Sequence, residues 1–121
     1  MTIETCYEKL GGNYQEISAR IPGDALIRRF IASFLNDPTF EALCSAMSGG
    51  DRAAAFRAAH TLKGVCANLS FERLRSSSSA LTELLRPEAD EIPQAAFALL
   101  EEVQKDYQAV VEAIREFMAE E

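Results

Sequence analysis

The last third of the chain carries the apolar spacing that most restricts the possible fold. Between Pro93 and Ala119, apolar residues recur at alternating intervals of four and three positions. Such intervals place side chains along one stripe of an α-helix and are typical of helices packed in a bundle. The stripe comprises Ala96, Leu100, Val103, Tyr107, Val110, Ile114 and Phe117. No segment alternates apolar and polar residues with the period of two that marks a strand, so we predict an all-α protein.

Four further helices are predicted before this one, because each has an apolar stripe and start or stop signals. The first covers 24–36 with Asp24 as N-cap, and the second runs from Pro38 to Gly49-Gly50 with Asp37 as N-cap. The third covers Arg52–Leu69 with Asp51 as N-cap. The fourth follows Ser70 as N-cap, contains the run Ser76 to Ser79 and ends before a loop from Arg86 to Glu91. The short connections predict an antiparallel up-down-up-down four-helix bundle, with the helix from Asp24 as an additional N-terminal helix packed across one end. We assign residues 23–121 to this bundle and residues 1–22 to an N-terminal cap segment of the same single domain.

The composition excludes several classes of function. With 12 basic and 19 acidic side chains the formal net charge is −7, so we expect neither nucleic acid nor a membrane as a partner. Three cysteines and one histidine are too few for a disulfide framework or a multi-histidine metal site. No apolar run approaches the roughly 20 residues of a membrane span, and no signal peptide is visible. We therefore expect a cytoplasmic monomer without a cofactor or metal of its own. The start at Met1 and the complete bundle favour a freestanding protein, with excision from a larger protein as the open alternative.

The one histidine, His60, lies in the predicted helix Arg52–Leu69. At about 100° per residue it falls about 160° from Leu62, the middle of the apolar stripe. This position excludes a core role and leaves either an idle surface histidine or a reactive one.

The helical neighbours of His60 favour the reactive alternative. Phe56 supplies an apolar contact, and Lys63 places a mobile ammonium beside the imidazole, although a plain solvated lysine would give the same pattern. Gly64 costs about 1 kcal/mol relative to alanine inside a helix, and with Ala67 it forms a bare patch that suits the close approach of another protein. The segment 51–75 has a net charge of +3, whereas 101–121 has −5. A locally positive surface favours a phosphoryl group or an acidic partner, unless its arginines only edge a bundle helix.

The stretch from Ala59 to Leu69, AHTLKGVCANL, resembles the signature of histidine-containing phosphotransfer (HPt) domains of bacterial phosphorelays. In that family one helix carries a histidine, a lysine three residues later, a glycine four residues later, and a small residue followed by Asn-Leu or Asn-Ile. The matching residues are His60, Lys63, Gly64, Ala67, Asn68 and Leu69. The resemblance extends from about residue 23 to the C-terminus. Where the family commonly continues with Gly-Ala, this chain has Ser70-Phe71, so one edge of the docking surface is expected to differ.

The resemblance implies a four-helix bundle in which His60 is a covalent phosphoryl carrier. The Nε2 atom of His60 would take the phosphoryl group from a receiver-domain aspartate or a histidine or hybrid kinase, and pass it to the aspartate of a response-regulator receiver. Lys63 would steady the phosphoryl oxygens, and Mg²⁺ would belong to the partner receiver alone. The expected docking residues are Phe56, Arg57, Gly64, Ala67, Asn68 and Phe71. No glycine-rich nucleotide loop is present, so we expect a carrier and no ATP-dependent kinase activity.

Three alternatives remain at this stage. The chain could be a degenerate HPt domain that binds receivers without carrying phosphate, and the intact His60, Lys63 and Gly64 argue against this. It could be a helical interaction module that uses its acidic face while His60 is idle. A hydrolase or metal protein is disfavoured by the single histidine and by the lack of acidic residues at ligand spacing.

Overall fold

The computed structural model describes all 121 residues and contains seven α-helices and no strand. The helices are α1 (Ile3–Leu10), α2 (Tyr14–Arg20), α3 (Asp24–Phe34), α4 (Thr39–Ser48), α5 (Arg52–Leu69), α6 (Glu72–Leu84) and α7 (Ala95–Ala119). The prediction of an all-α helical fold is confirmed. None of the helices is long and apolar enough to span a bilayer.

The helices share one core to which each contributes buried apolar side chains. Helix α4 packs on α5, α5 on α6, and α6 on α7, while α1 packs against α7. The buried apolar residues of α5 are Ala55, Ala59, Leu62, Cys66 and Leu69, as the spacing predicts. Helix α3 reaches the junction between α5 and α6 through Phe34, whose ring centroid lies 5.2 Å from that of Phe71.

Arg52 joins the start of α5 to the end of α6. Its guanidinium donates hydrogen bonds to the carbonyl oxygens of Leu84 (3.2 Å), Arg86 (2.7 Å) and Glu91 (2.7 Å). The Leu84 carbonyl lies in the last turn of α6, where a helix leaves carbonyl groups without amide partners. Arg52 is 9% exposed, so its charge belongs to the core and not to the positive surface that the sequence predicts around His60.

Two predicted helix starts are corrected by the structure. Helix α3 begins at Asp24 itself, because Gly23 takes the N-cap position with a φ of 91°, and the Asp24 carboxylate accepts a hydrogen bond from the Tyr14 hydroxyl at 2.6 Å. Helix α4 begins one residue after Pro38, and Asp37 accepts from the Thr39 amide at 2.8 Å.

The junction between α5 and α6 also differs from the prediction. Ser70 ends α5 in the left-handed conformation, with a φ of 58°, and does not cap α6. The chain must reverse there, and a left-handed residue supplies the reversal at the end of a helix. The serine run lies inside α6 as predicted, with Ser78 buried between Leu74 and Leu81.

Candidate functional site

Helix α5 presents His60 to solvent. The helix starts where the Asp51 carboxylate accepts a hydrogen bond from the Ala54 amide at 3.0 Å, and its buried apolar stripe sets which face points outward. Ala59 is fully buried and Leu62 is 1% exposed, whereas His60 between them is exposed. The imidazole therefore stands on the outer face of a helix whose inner face is held by the core.

The imidazole of His60 is stacked on Phe56, one turn earlier in α5. The two ring centroids are 6.0 Å apart and the planes differ by 20°. The guanidinium carbon of Arg86 lies 5.6 Å from the Phe56 centroid, so the ring carries a cation as well. This stack orients the imidazole and brings a residue from the end of α6 into the site.

Arg86 is paired with the Glu83 carboxylate beside this stack. Arg86 donates two hydrogen bonds to Glu83, at 2.9 and 3.0 Å. These bonds lower the pKa of the Glu83 carboxyl, and the charges of Arg86 and Lys63 lower it further. The same pair raises the pKa of the Arg86 guanidinium. Because Lys63 and Arg86 both lie near Glu83, the surface beside His60 keeps a positive balance even though Arg52 is buried.

The next turn of α5 beyond His60 is open. A Cβ atom built on Gly64 would meet no other atom within 4 Å, and the residue is exposed. Arg57 and Asn68 are exposed and Ala67 is half-buried. These residues lie around the outer face of α5, where the sequence predicts a docking surface.

Phe71 does not belong to this surface, and its predicted docking role is wrong. It is fully buried, with its ring centroid 5.8 Å from that of Tyr7. The left-handed Ser70 turns the chain inward immediately before it, so the side chain enters the core between α1 and α3.

The sequence pattern missed Arg86 and Glu83 as members of the site. They lie more than 20 positions after His60, in and just after α6, and no spacing rule links them to α5.

The sequence analysis also missed Phe30 as a residue near the site. It is 44% exposed on α3 and lines a groove with Val65 and Asn68 of α5, so an exposed aromatic ring borders the outer face. In the sequence Phe30 shares one apolar stripe with Ile27, Ile31 and Phe34, so the periodicity gave no sign that its ring is exposed.

The other chemically reactive side chains lie away from the site. Burial raises the pKa of the Cys66 thiol to about 12, with a smaller contribution from Asp37, so this residue on the inner face of α5 stays protonated at neutral pH. No group of three or more His, Cys, Asp or Glu side chains is placed to hold a metal ion.

Comparison with known protein families identifies the class of this chain. Residues 26–115 match the model of the Hpt domain, and the protein belongs to that family. Domains of this family are phosphoryl carriers of phosphorelays rather than kinases. Helices α1 and α2 and the first two residues of α3 lie outside the match. No curated protein and no solved structure matches the chain significantly.

Proposed function

We propose that this protein is a phosphorelay phosphotransfer protein in which His60 accepts a phosphoryl group from a receiver-domain aspartate, or from a kinase, and passes it to a second receiver. The observation that carries the proposal is the exposed imidazole on the outer face of α5, stacked on Phe56 and followed by an open turn at Gly64. In a chain of the Hpt family, this is the group that a receiver's aspartyl phosphate can reach.

The chemical step is an in-line phosphoryl transfer. The lone pair of the neutral imidazole, at Nε2, attacks phosphorus while the bond from phosphorus to the aspartate oxygen breaks, and the aspartate leaves as a carboxylate. The imidazolium that forms loses its second ring proton to water. The reverse sequence delivers the phosphoryl group to the next receiver.

Lys63 and Arg86 would stabilise the charge of the bound phosphoryl group. Lys63 lies one turn from His60, and Arg86 reaches the same neighbourhood over the face of Phe56. Arg86 is now hydrogen-bonded to Glu83, and a phosphoryl group would compete with that carboxylate for it. We place the Mg²⁺ that transfer requires on the receiver and assign no metal to this chain.

The docking surface would comprise Phe56, Arg57, Gly64, Ala67 and Asn68 around His60. Its positive balance complements the acidic pocket of a receiver, and the space over Gly64 admits the partner's backbone. We also propose the up-down-up-down arrangement of α4 to α7, with α3 across one end, for a cytoplasmic monomer. The bonds of Arg52 from the start of α5 to the end of α6 support the antiparallel packing of those two helices.

The proposal is tested with a panel of receiver domains phosphorylated on their aspartates. The wild-type protein should gain a phosphate that is labile in acid and stable in alkali, as expected of a phosphoramidate. His60→Gln, which keeps polarity and approximate size, should gain none while its free energy of unfolding changes by less than about 0.5 kcal/mol, because the residue lies outside the core. Phosphate retained on His60→Gln refutes the assignment, and receiver binding without any transfer by the wild type indicates a degenerate, non-carrying domain.

A further inference from the structure

The N-terminal segment of residues 1–22 holds the last turn of α5. The final carbonyl groups of a helix have no amide partners within it, and here they are bonded by this segment. Arg20 Nη2 donates to the carbonyl oxygens of Ala67 (3.1 Å) and Asn68 (2.8 Å), and the Tyr7 hydroxyl donates to that of Leu69 (2.8 Å). The contacts are therefore made to consecutive residues of α5, two of which belong to the proposed docking surface.

The N-terminal segment packs tightly against the C-terminal end of α5. The Asn13 amide donates to the Ser70 carbonyl at 2.9 Å, and a Cβ atom built on Gly12 would lie only 2.8 Å from that same carbonyl oxygen. Arg20 Nη2 also lies 2.7 Å from Ser70 Oγ, which in turn donates to Glu16 at 2.7 Å. No side chain fits at Gly12, so the sequence itself is adapted to this contact.

We propose that Arg20 is a positioning residue of the docking surface: by holding the last turn of α5 it sets the position of Ala67 and Asn68, so that residues 1–22 control receiver affinity without touching His60. The inference rests on the proposed function. It concerns a segment outside the residues that match the Hpt family.

Arg20 differs from the core contacts of the same segment in its exposure to solvent. Tyr7 is fully buried, so its bond to Leu69 persists when Arg20 is removed and the fold is retained. The Arg20 bonds are exposed, and water can replace them, but water does not fix the turn in one conformation. A cation at a helix C-terminus is also favourable toward the helix dipole, which adds to the cost of losing it. Loss of Arg20 is therefore expected to loosen the turn that carries Ala67 and Asn68 while His60, two turns earlier, stays in place.

The test compares Arg20→Ala with Arg20→Lys and with Lys9→Ala in the full chain. Arg20→Lys retains a charged donor, because Nζ can serve the carbonyls that Nη2 now serves. Lys9→Ala is the matched control, because it removes an exposed ion pair of the same segment, the 2.8 Å contact to Glu116 on α7, without touching α5. The probes are the receiver domain that transfers fastest to the wild type and the small phosphodonor phosphoramidate.

For Arg20→Ala we expect the Kd and the KM for the receiver to rise about 10-fold, roughly the effect of one charged hydrogen bond. The transfer rate at saturating receiver and the uptake from phosphoramidate should stay within about twofold of wild type. Amide exchange at residues 67–70 should accelerate. Arg20→Lys should restore most of the affinity, and Lys9→Ala should leave every measurement unchanged.

Several outcomes overturn the inference. An unchanged receiver Kd in Arg20→Ala, even with a lower Tm, reduces Arg20 to a stabilising cap. A raised Kd without faster exchange at residues 67–70 means that Arg20 contacts the receiver directly. Slower uptake from phosphoramidate would place the effect at His60 itself. If the wild-type protein binds receivers but accepts no phosphate, only the carrier function is refuted, and the Kd of Arg20→Ala still decides the role of Arg20. If the wild-type protein binds no receiver, both the carrier function and the role of Arg20 are refuted.

Discussion

Replacing Gly64 with a larger residue should stabilise the fold and slow phosphotransfer, so the two effects can be measured separately at this position. Nothing lies within 4 Å of a Cβ atom built there, so no neighbour of the same chain resists a side chain. Glycine costs about 1 kcal/mol relative to alanine within a helix, and leucine is nearly as favourable as alanine. Both Gly64→Ala and Gly64→Leu are therefore expected to raise the free energy of unfolding, by up to about 1 kcal/mol.

The effect on transfer follows from the distance to His60. Four residues of helix place Gly64 about 6 Å along the axis from His60, on the same outer face. The reacting atoms must approach to about 3–3.5 Å, and a misplacement of about 1 Å can cost about 100-fold in rate. A leucine side chain would occupy the space that the receiver backbone needs. We expect Gly64→Leu to transfer at least about 100-fold more slowly and Gly64→Ala to lose far less.

Denaturant unfolding and the rate of transfer from a phosphorylated receiver, measured on the same preparations, test these two expectations for Gly64→Ala and Gly64→Leu. Ala98→Leu, at an exposed position of α7, is the matched control and should change neither quantity appreciably. A destabilised Gly64→Leu would mean that the glycine serves internal packing. A stable Gly64→Leu that transfers at the wild-type rate would mean that the receiver does not approach over this turn, and the docking surface would have to lie elsewhere on α5.

The remaining predictions concern the cations beside His60 and the buried thiols. Lys63→Ala should transfer about 10-fold more slowly at saturating receiver, equivalent to about 1.4 kcal/mol, and an unchanged rate with several receivers would make Lys63 a plain solvated lysine. Arg86→Ala should slow transfer by about 3- to 10-fold, because it removes both the cation and the support of the aromatic ring, and a full rate would exclude its role. Burial raises the pKa of the Cys6 thiol from 9.0 to about 11 and that of Cys66 to about 12. Above pH 9 the unfolded chain releases protons that the native state retains, so the free energy of unfolding should fall with rising pH, by up to about 1.4 kcal/mol per pH unit for each thiol until its folded pKa is reached. Denaturant unfolding at pH 8 and pH 10 tests this, and equal stabilities would contradict it.

Local patterns were sufficient to predict which residues form the site's helix and how they are arranged on it. The positions of His60, Lys63 and Gly64 relative to one another depend only on the residues per turn of a helix. The exposure of His60 follows from the same geometry, once the apolar stripe through Leu62 is known to face the core. The start of α5 was predictable for a similar reason, because an N-cap at Asp51 acts over three residues.

Two residues predicted at the surface, Phe71 and Arg52, are buried because distant segments of the chain supply their contacts. Phe71 reads as a surface residue after the family motif, but the left-handed Ser70 directs it into a core completed by α1 and α3. Arg52 reads as part of a positive surface, but the carbonyl groups at and just after the end of α6 accept its hydrogen bonds and keep it buried. In both cases the local sequence permits more than one arrangement, and long-range contacts select among them.

The sequence by itself thus determined the helical class, the helix that carries His60 and the order of chemical groups along its outer face. Only the tertiary structure decided that Arg86 stacks over Phe56 beside His60, and that Arg20 closes the end of α5. The physical reason is the range of the interactions. Helical periodicity and capping act over three or four neighbouring residues, whereas the pairing of a guanidinium with a distant ring or an unpartnered carbonyl is decided by how the helices pack.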